Sequence, residues 1–434
     1  MKGMWLSLLW LSLLSWTSAR VDHLLREKYI DAIVVVGEKD MPIVRYCLRH
    51  MVRYVKHLHT AYVVAADTTQ AKSVVAQVNE FTSRETSNSK DENSTHRPRV
   101  VFFDEARFPV SIADIRNASL QRGWDGNHCC RNGKQEYRLG WYLQQFLKLY
   151  AVEVIPDIRD YLVVDADVIF FSTFDVVRAQ EGYIYTPGKG PSGCSSDYKE
   201  TLHRILGGGK RTGIVPKNLT DLNTIVLKMK RGLDRRPCGI AHHMLFKREV
   251  LSSLLNTLQR LAAWHGGEDY AWWRYIVDMI DTSRVSSFSE YVLYFTFARE
   301  IFPSSFVLRN LVFNAGKPNG GNKVDWSIFY FSDSNGRGQA SAVTRCFFNG
   351  DLSRLKSTGD NFCTKISPKK CSEWRPNEVL PEYPEKCPFP VYTAFHRYKI
   401  EGGSEERRWM AAANFFEKED KIWWEYHSSE ASFR

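Results

Sequence analysis

The sequence lacks a hydrophobic run long enough to cross a membrane, and it lacks a dense cluster of basic residues. The apolar run near the N-terminus extends from Met4 to Trp16, whereas a membrane helix needs about 20 apolar residues. Lysine and arginine number 59 against 49 aspartates and glutamates, for a net charge of +10. Because these charges are scattered and no nucleic-acid motif is present, we expect an anionic partner such as a nucleotide-sugar or an acidic glycan, and no nucleic acid.

The nine cysteines lack the paired spacing of a zinc site. In a chain that enters an oxidising compartment they predict disulfides. Nine cysteines can form at most four disulfides, so at least one stays a free thiol. Cys47 lies inside a helical pattern and is our prediction for that free thiol. The other cysteines form two groups, Cys129, Cys130, Cys194 and Cys238 along the main body, and Cys346, Cys363, Cys371 and Cys387 in one late segment.

The loop from Gly207 to Arg211 lacks the phosphate-loop pattern, so it is more typical of a linker.

The N-terminus has the parts of a secretory signal. Lys2 precedes the apolar run, and Thr17-Ser18-Ala19 supplies small residues for signal peptidase. We expect residues 1–19 to be a cleaved signal peptide; the alternative is an uncleaved signal anchor, the one case in which we expect a membrane partner. Either way the chain enters the secretory lumen, in the ER or Golgi or outside the cell. Sequons for N-linked glycans agree with this and begin at Asn93, Asn117 and Asn218.

A chain of 434 residues exceeds the usual single domain, so we expect one large domain with additions. The expected main domain spans residues 29–335. The cysteine-rich segment 340–390 is a predicted disulfide-held insertion. Residues 391–434 are predicted to return a strand to the main domain and to end in an amphipathic helical tail. The sequence contains no internal repeat.

Strands and helices alternate at the start of the main domain, which predicts an α/β fold with a mainly parallel sheet. The polar stretch 83–97 is predicted to be an exposed loop, and 122–138 is predicted to be a polar loop that contains glycine. The predicted strands are 29–36, 61–66, 100–103, 161–171, 182–186 and 391–398, and the main predicted helices are 42–57, 139–154, 248–264 and 292–297.

Two aspartates interrupt the apolar stretch from Tyr161 to Phe171. Burying unpaired carboxylates is costly, so we expect Asp165 and Asp167 at a strand end, opposite a metal or other cations. In an extended segment residues two apart point the same way, which lets both carboxylates address one hard cation such as Mg²⁺ or Mn²⁺. The alternative is a surface turn that contains two aspartates. The flanking apolar residues favour a core strand, whose carboxyl end is where α/β sheets bind ligands.

Other polar residues are candidates for the same site. Gln145 and Lys148, on the predicted helix 139–154, are candidate contacts to a nucleotide cofactor, although such residues more often form a solvated face. Of the adjacent pair His242 and His243, only one can face a cleft if both lie on a strand.

Glu290 and Asp269 are the candidate catalytic carboxylates. Glu290 follows Ser289 at a helix start, so the sequence is equally compatible with a capping role and with a substrate-binding or general-base role. Asp269 precedes a tryptophan-rich helix.

Four motifs lie in order along the chain: Val164-Asp165-Ala166-Asp167, Ala241-His242-His243-Met244-Leu245-Phe246, Ser289-Glu290-Tyr291-Val292-Leu293-Tyr294 and Ala394-Phe395-His396-Arg397-Tyr398. Their order and spacing resemble a family of GT-A-type glycosyltransferases, in the nucleotide-diphospho-sugar transferase superfamily. The resemblance covers residues 29–335 and 391–400. It leaves out the cysteine-rich segment and the tail.

The resemblance implies a Rossmann-like domain that binds a UDP- or GDP-sugar and transfers the sugar to a hydroxyl of a glycan, protein or lipid. It implies that Mn²⁺ or Mg²⁺ bridges Asp167 to the diphosphate, that Asp165 contacts the ribose or the metal, and that His396 completes the metal ligands. It also implies that the metal neutralises charge developing on the leaving diphosphate.

The same resemblance implies that His242 or His243 lines the sugar or acceptor pocket and that Glu290 holds the acceptor or acts as a base. Another class stays open, namely a secreted carbohydrate-binding or pseudo-enzyme protein in which the aspartates hold Ca²⁺. A glycosidase is disfavoured, because Asp165 and Asp167 on one face cannot flank a scissile bond.

Overall fold

The computed structural model describes residues 29–88, 97–131, 134–158, 160–170, 176–178, 181–187, 196–207, 220–233, 239, 242–283, 287–315, 327–331 and 390–395. The predicted signal sequence, most of the cysteine-rich segment, His396 and the tail lie outside these residues. The strands are β1 (Ile30–Val35), β2 (Leu58–Ala65), β3 (Arg99–Asp104), β4 (Asn127–Arg131), β5 (Lys134–Tyr137), β6 (Tyr161–Asp165), β7 (Val168–Phe170), β8 (Val177–Arg178), β9 (Glu181–Pro187), β10 (His243–Phe246), β11 (Phe306–Ala315), β12 (Ser327–Phe331) and β13 (Pro390–Phe395).

Helices connect and cover these strands. Short 3₁₀ helices occupy Glu38–Asp40, Glu105–Arg107 and Pro303–Ser305. In the part of the chain that the structure describes, no helix is both long and apolar enough for a membrane span. The α-helices are α1 (Met41–Tyr54), α2 (Thr69–Asn88), α3 (Ile112–Gln121), α4 (Leu139–Val154), α5 (Ser196–Gly207), α6 (Thr220–Leu233), α7 (Arg248–Gly266), α8 (Trp272–Met279) and α9 (Glu290–Ile301).

The central sheet has five strands in the order β10-β6-β1-β2-β3. β1 pairs in parallel with β2 and with β6, and β2 pairs in parallel with β3. β10 runs antiparallel, beside β6. The predicted α/β fold, a mainly parallel sheet flanked by helices, is therefore confirmed.

Alternate residues of the central strands enter two different hydrophobic clusters, one on each face of the sheet. Val34 and Val164 pack with apolar residues of α1 and α2. Val35 and Val163 pack with apolar residues of α4, α7, α8 and α9. Asp165 is two residues after Val163 on β6, so their side chains point to the same face of the sheet. This is the face that α4 and α9 cover.

A second sheet has six strands in the order β7-β13-β12-β11-β9-β8, with β9 and β11 parallel. The chain passes from the central sheet to this one through a turn at Ala166 and Asp167. The prediction of one strand over 161–171 is therefore wrong, because β6 ends at Asp165 and β7 begins at Val168. Aspartate readily occupies turns, and a turn here removes the second carboxylate from the central sheet.

Two of the predicted loops contain regular structure. α2 continues to Asn88, into the stretch 83–97, and the stretch 122–138 contains the hairpin β4–β5. α3 was not predicted, although it carries a capping box: the Ser111 hydroxyl accepts from the Asp114 N–H, and the Asp114 carboxylate accepts from the Ser111 N–H. Short hairpins and helices with few apolar residues give only a weak periodic signal.

Candidate functional site

The site lies where the strand order of the central sheet reverses. From β1 the chain continues to β2 and β3 on one side and later returns to β6 on the other side. In open α/β sheets, ligands bind at such a point, outside the carboxyl ends of the strands. Val35 and Asp165, the last residues of β1 and β6, are paired there.

The carboxylate of Asp165 accepts hydrogen bonds from three side chains. Its Oδ1 lies 2.5 Å from Lys148 Nζ and 2.9 Å from the Tyr291 hydroxyl. Its Oδ2 lies 2.9 Å from Nδ1 of His242. These donors come from α4, from α9 and from the residue before β10. The carboxylate is therefore held from three directions, and 24% of the side chain is exposed.

Lys148 lies in the middle of α4, and only 5% of the residue is exposed. Its ammonium also contacts Glu290 Oε1 at 2.7 Å, so one buried cation joins two carboxylates. Burial lowers the pKa of Lys148, but Asp165 and Glu290 outweigh it and raise the pKa above its ordinary value. Lys148 is thus a charged, buried residue and no part of a solvated face. We refer to Lys148, Asp165, His242, Glu290 and Tyr291 as the Asp165 network.

Glu290 begins α9 but does not cap it. The Ser289 hydroxyl accepts from the Val292 N–H and is the cap, whereas the backbone N–H of Glu290 donates to Oε1 of the buried Gln145 at 3.0 Å. Burial raises the pKa of the Glu290 carboxyl, against the opposing effect of Lys148. Glu290 and Gln145 therefore join the start of α9 to α4.

Asp165 itself remains ionised. Burial alone raises the pKa of its carboxyl, but Lys148 and His242 together lower it well below its ordinary value. The pKa of the Tyr291 hydroxyl is raised, first by burial and then by the charges of Asp165 and Glu290. The network therefore holds a carboxylate that accepts and a phenol that keeps its proton to donate.

His242 and His243 have different surroundings. His242 has a positive φ of 56°, which is uncommon for a residue with a side chain. In this conformation its carbonyl accepts from the Asp165 N–H at 3.0 Å while its ring contacts the Asp165 carboxylate. His243 lies on β10, is 1% exposed and has its ring near Phe170. His242 is thus the histidine that lies at the site.

Asp167 lies in the turn after β6 and is partly buried. Burial is the main reason that the pKa of the Cys47 thiol and of the Tyr291 hydroxyl is raised, and the charge of Asp167 contributes to both. Asp167 is therefore electrostatically close to the Asp165 network. Among the described residues, Cys47 forms no disulfide, and no group of three histidine, cysteine or acidic side chains could hold a metal.

The structure does not bring all the predicted site residues together. Asp269 is exposed in the turn between α7 and α8, and among the described residues none of the contacts of the Asp165 network involves it. His396, the predicted third metal ligand, lies outside the described residues. Tyr291 was missed as a site residue. Its position directly after Glu290, in the motif that begins at Ser289, was the signal for it.

Comparison with known proteins assigns a family. The model of DUF6492, a family of unknown function, matches residues 48–306. This is more than half of the chain, so the chain belongs to that family. No curated protein matches the chain.

Two solved structures are remotely similar. The apo form of mouse xyloside xylosyltransferase 1 is 14% identical with a TM-score of 0.30, and the match covers 64% of this chain and 84% of that one. An active-site mutant of LgtC is 10% identical with a TM-score of 0.28, and the match covers 58% of this chain and 69% of that one.

Proposed function

We propose that the protein is a metal-dependent glycosyltransferase. It moves a sugar from a UDP- or GDP-sugar to a hydroxyl of a glycan, protein or lipid in the secretory pathway. The observation that carries this proposal is the position of Asp165. It is an ionised carboxylate at the carboxyl end of β6, at the reversal of strand order, and Asp167 follows it in a turn. The resemblance of the Asp165 and Ser289 motifs to those of GT-A-type enzymes supports it.

The charges at the site favour a divalent cation. Asp165 and Asp167 bring two carboxylates within two residues of each other at the end of β6, and the charge of Asp167 acts on the same Tyr291 hydroxyl that Asp165 contacts. Counting partners among the described residues, both lone pairs of Asp165 Oδ1 are used, whereas Oδ2 keeps one lone pair beyond its contact with His242. Asp167 and this lone pair fit Mg²⁺ or Mn²⁺, which commonly binds few carboxylates and takes its other ligands from phosphates and water.

When bound, such a cation would neutralise charge on the leaving diphosphate. The chain's own residues orient the reactants. Asp165 fixes the ring of His242, so the proposal gives His242 the contact with the sugar or the acceptor. Glu290 is 3% exposed and contacts Lys148, so in the proposal it holds the Lys148 ammonium in place. The acceptor-binding and base roles named for Glu290 stay predictions.

The substitution Asp167→Ala tests the proposal. We expect it to lower metal-dependent donor hydrolysis and transfer about 100-fold or more, while circular dichroism shows a folded protein, because Asp167 lies in a turn at the sheet edge. Asp221→Ala is the control, since Asp221 is an exposed residue of α6 that pairs with Arg260. Normal turnover by Asp167→Ala would refute the proposal. Glycan binding without nucleotide binding would favour the carbohydrate-binding alternative.

A further inference from the structure

The side chain of Tyr291 is in contact with both charged partners at the centre of the network. Tyr291 is 4% exposed in the first turn of α9. Its hydroxyl donates to Asp165 Oδ1 at 2.9 Å and lies 3.5 Å from Lys148 Nζ. The ammonium also lies over the tyrosine ring, 4.7 Å from its centroid. Tyrosine and lysine therefore share the same oxygen of Asp165.

Among the described residues, the ammonium of Lys148 faces three oxygens of the Asp165 network, two carboxylate oxygens at short distance and the Tyr291 hydroxyl at 3.5 Å. A lysine carries three N–H donors. Within the described residues, three oxygens lie at hydrogen-bond distance, namely Asp165 Oδ1, Glu290 Oε1 and the Tyr291 hydroxyl. Lys148 is therefore in place to act on a bound nucleotide through Asp165, and the direct cofactor contact named for it stays a prediction.

A carboxylate needs such contacts to keep one orientation. The terminal torsion of an aspartate is soft, with a broad energy minimum. One donor on each oxygen restricts this torsion, and a further donor from a second helix restricts it more. Two donors on Oδ1, from separate helices, and one on Oδ2 define the plane, and sites built on helices and strands hold such geometry well.

We infer that Tyr291 and Lys148 are positioning residues that hold Oδ1 of Asp165, so that Oδ2 keeps its orientation toward His242 and a bound metal–nucleotide. This rests on the proposed function, because it takes Asp165 to act at a nucleotide site. Neither residue touches the substrate. Loss of the tyrosine hydroxyl therefore weakens nucleotide binding by releasing Asp165, and it removes no ligand contact.

The chain offers a matched control on the same helix. Tyr294 lies about one turn after Tyr291, is fully buried, and its hydroxyl accepts from the backbone N–H of Lys247 at 2.7 Å. Tyr294→Phe thus removes one buried hydroxyl of α9 without touching Asp165. Tyr291→Phe removes the corresponding hydroxyl at the network. If Tyr291 only stabilised the fold, both variants would have the same Kd for the nucleotide.

The test is calorimetric titration of UDP and of GDP into the full chain with Mn²⁺ present. We expect Tyr291→Phe to raise the Kd about fivefold or more, since it loses a hydrogen bond to an ionised group. We expect Tyr294→Phe to leave the Kd within about twofold and to lose a similar amount of thermal stability. Binding stoichiometry reports the folded fraction and the Kd reports the site, so the two effects separate.

Lys148→Met should raise the Kd more than Tyr291→Phe does, and Lys148→Arg, which keeps the cation, should recover part of the loss. If Lys148→Met fails to fold, the comparison of the Kd values of Tyr291→Phe and Tyr294→Phe still tests the inference. Equal Kd values for Tyr291→Phe and Tyr294→Phe would overturn the inference and leave the proposed function standing. Absence of Mn²⁺-dependent nucleotide binding by the wild-type protein would overturn both.

Discussion

At the scale of single residues, the site depends on one buried ammonium. Lys148 and Glu290 are 142 positions apart in the sequence, yet their charged groups are 2.7 Å apart. A buried ion pair adds little net stability, but removing one partner leaves the other charge buried without compensation. The Asp165 network contains two carboxylates for this one cation, so the loss of Lys148 exposes each carboxylate to the repulsion of the other.

We predict that Lys148→Met lowers the free energy of unfolding by about 3–5 kcal/mol. Adding Glu290→Gln should recover part of this loss, because the double variant leaves one carboxylate without Lys148 instead of two. Urea unfolding of the wild type, both single variants and the double variant measures the coupling. Simple additivity of the two single effects would contradict the assigned ion pair.

Glu290 gives a prediction for pH. Burial raises the pKa of its carboxyl in the folded protein, so the folded chain keeps this proton to higher pH than the unfolded chain, whose glutamate pKa is about 4.3. Stability contributed by Glu290 is therefore lost as the pH rises from about 4.3 through the raised pKa, and it is constant above it.

The Glu290→Gln variant lacks this titration. Its free energy of unfolding, relative to the wild type, should increase with pH from about pH 4 and level off once the raised pKa is passed. Urea unfolding at a series of pH values measures the difference. A difference that does not change with pH would show that Glu290 has the same pKa in both states.

At the scale of elements, the contact between α4 and α9 determines the geometry of the site. The sequence predicted the bounds of α4 correctly, at 139 and 154. It did not predict that Gln145 and Lys148 are buried. Neighbouring elements cover α4 around most of its circumference, whereas the spacing of apolar residues in the sequence indicates only the most apolar side of a helix. Both residues contact Glu290 of α9, about 140 positions away, and a single sequence gives no direct signal for so distant a pairing.

We predict that Gln145→Leu lowers the free energy of unfolding by about 1–3 kcal/mol, because the buried N–H of Glu290 loses its acceptor. Gln77→Leu is the matched control. Gln77 lies exposed on α2, and its amide bonds to Ser73 one turn away, so we expect a change within about 0.5 kcal/mol. Equal effects in chemical unfolding would mean that Gln145 does not dock α9.

At the scale of the whole molecule, the alternation of strands and helices was enough to predict the central parallel sheet. The location of Asp165 at a strand end also followed from sequence, because a carboxylate between apolar runs has few other places to lie. The second sheet did not follow from it. The chain changes sheets within two residues after Asp165, and the apolar residues on both sides of the turn look like one strand.

The same chain path explains why the site combines distant segments. β6 brings Asp165 beside β1, β10 brings His242 to the same edge, and α9 brings Glu290 and Tyr291 against α4. None of these contacts is local in sequence. The motifs around Asp165, His242 and Ser289 pointed to these segments from sequence, but only the packing of helices on the sheet shows that Tyr291 contacts Asp165.

The most direct measurement of the central claim is a hydrolysis assay of the wild-type protein with a panel of UDP- and GDP-sugars, with Mn²⁺ and with a chelator. The proposed function predicts that at least one nucleotide-sugar is hydrolysed when Mn²⁺ is present and that the chelator abolishes the reaction. Failure to hydrolyse any member of the panel with Mn²⁺, or hydrolysis that the chelator leaves unchanged, would contradict it.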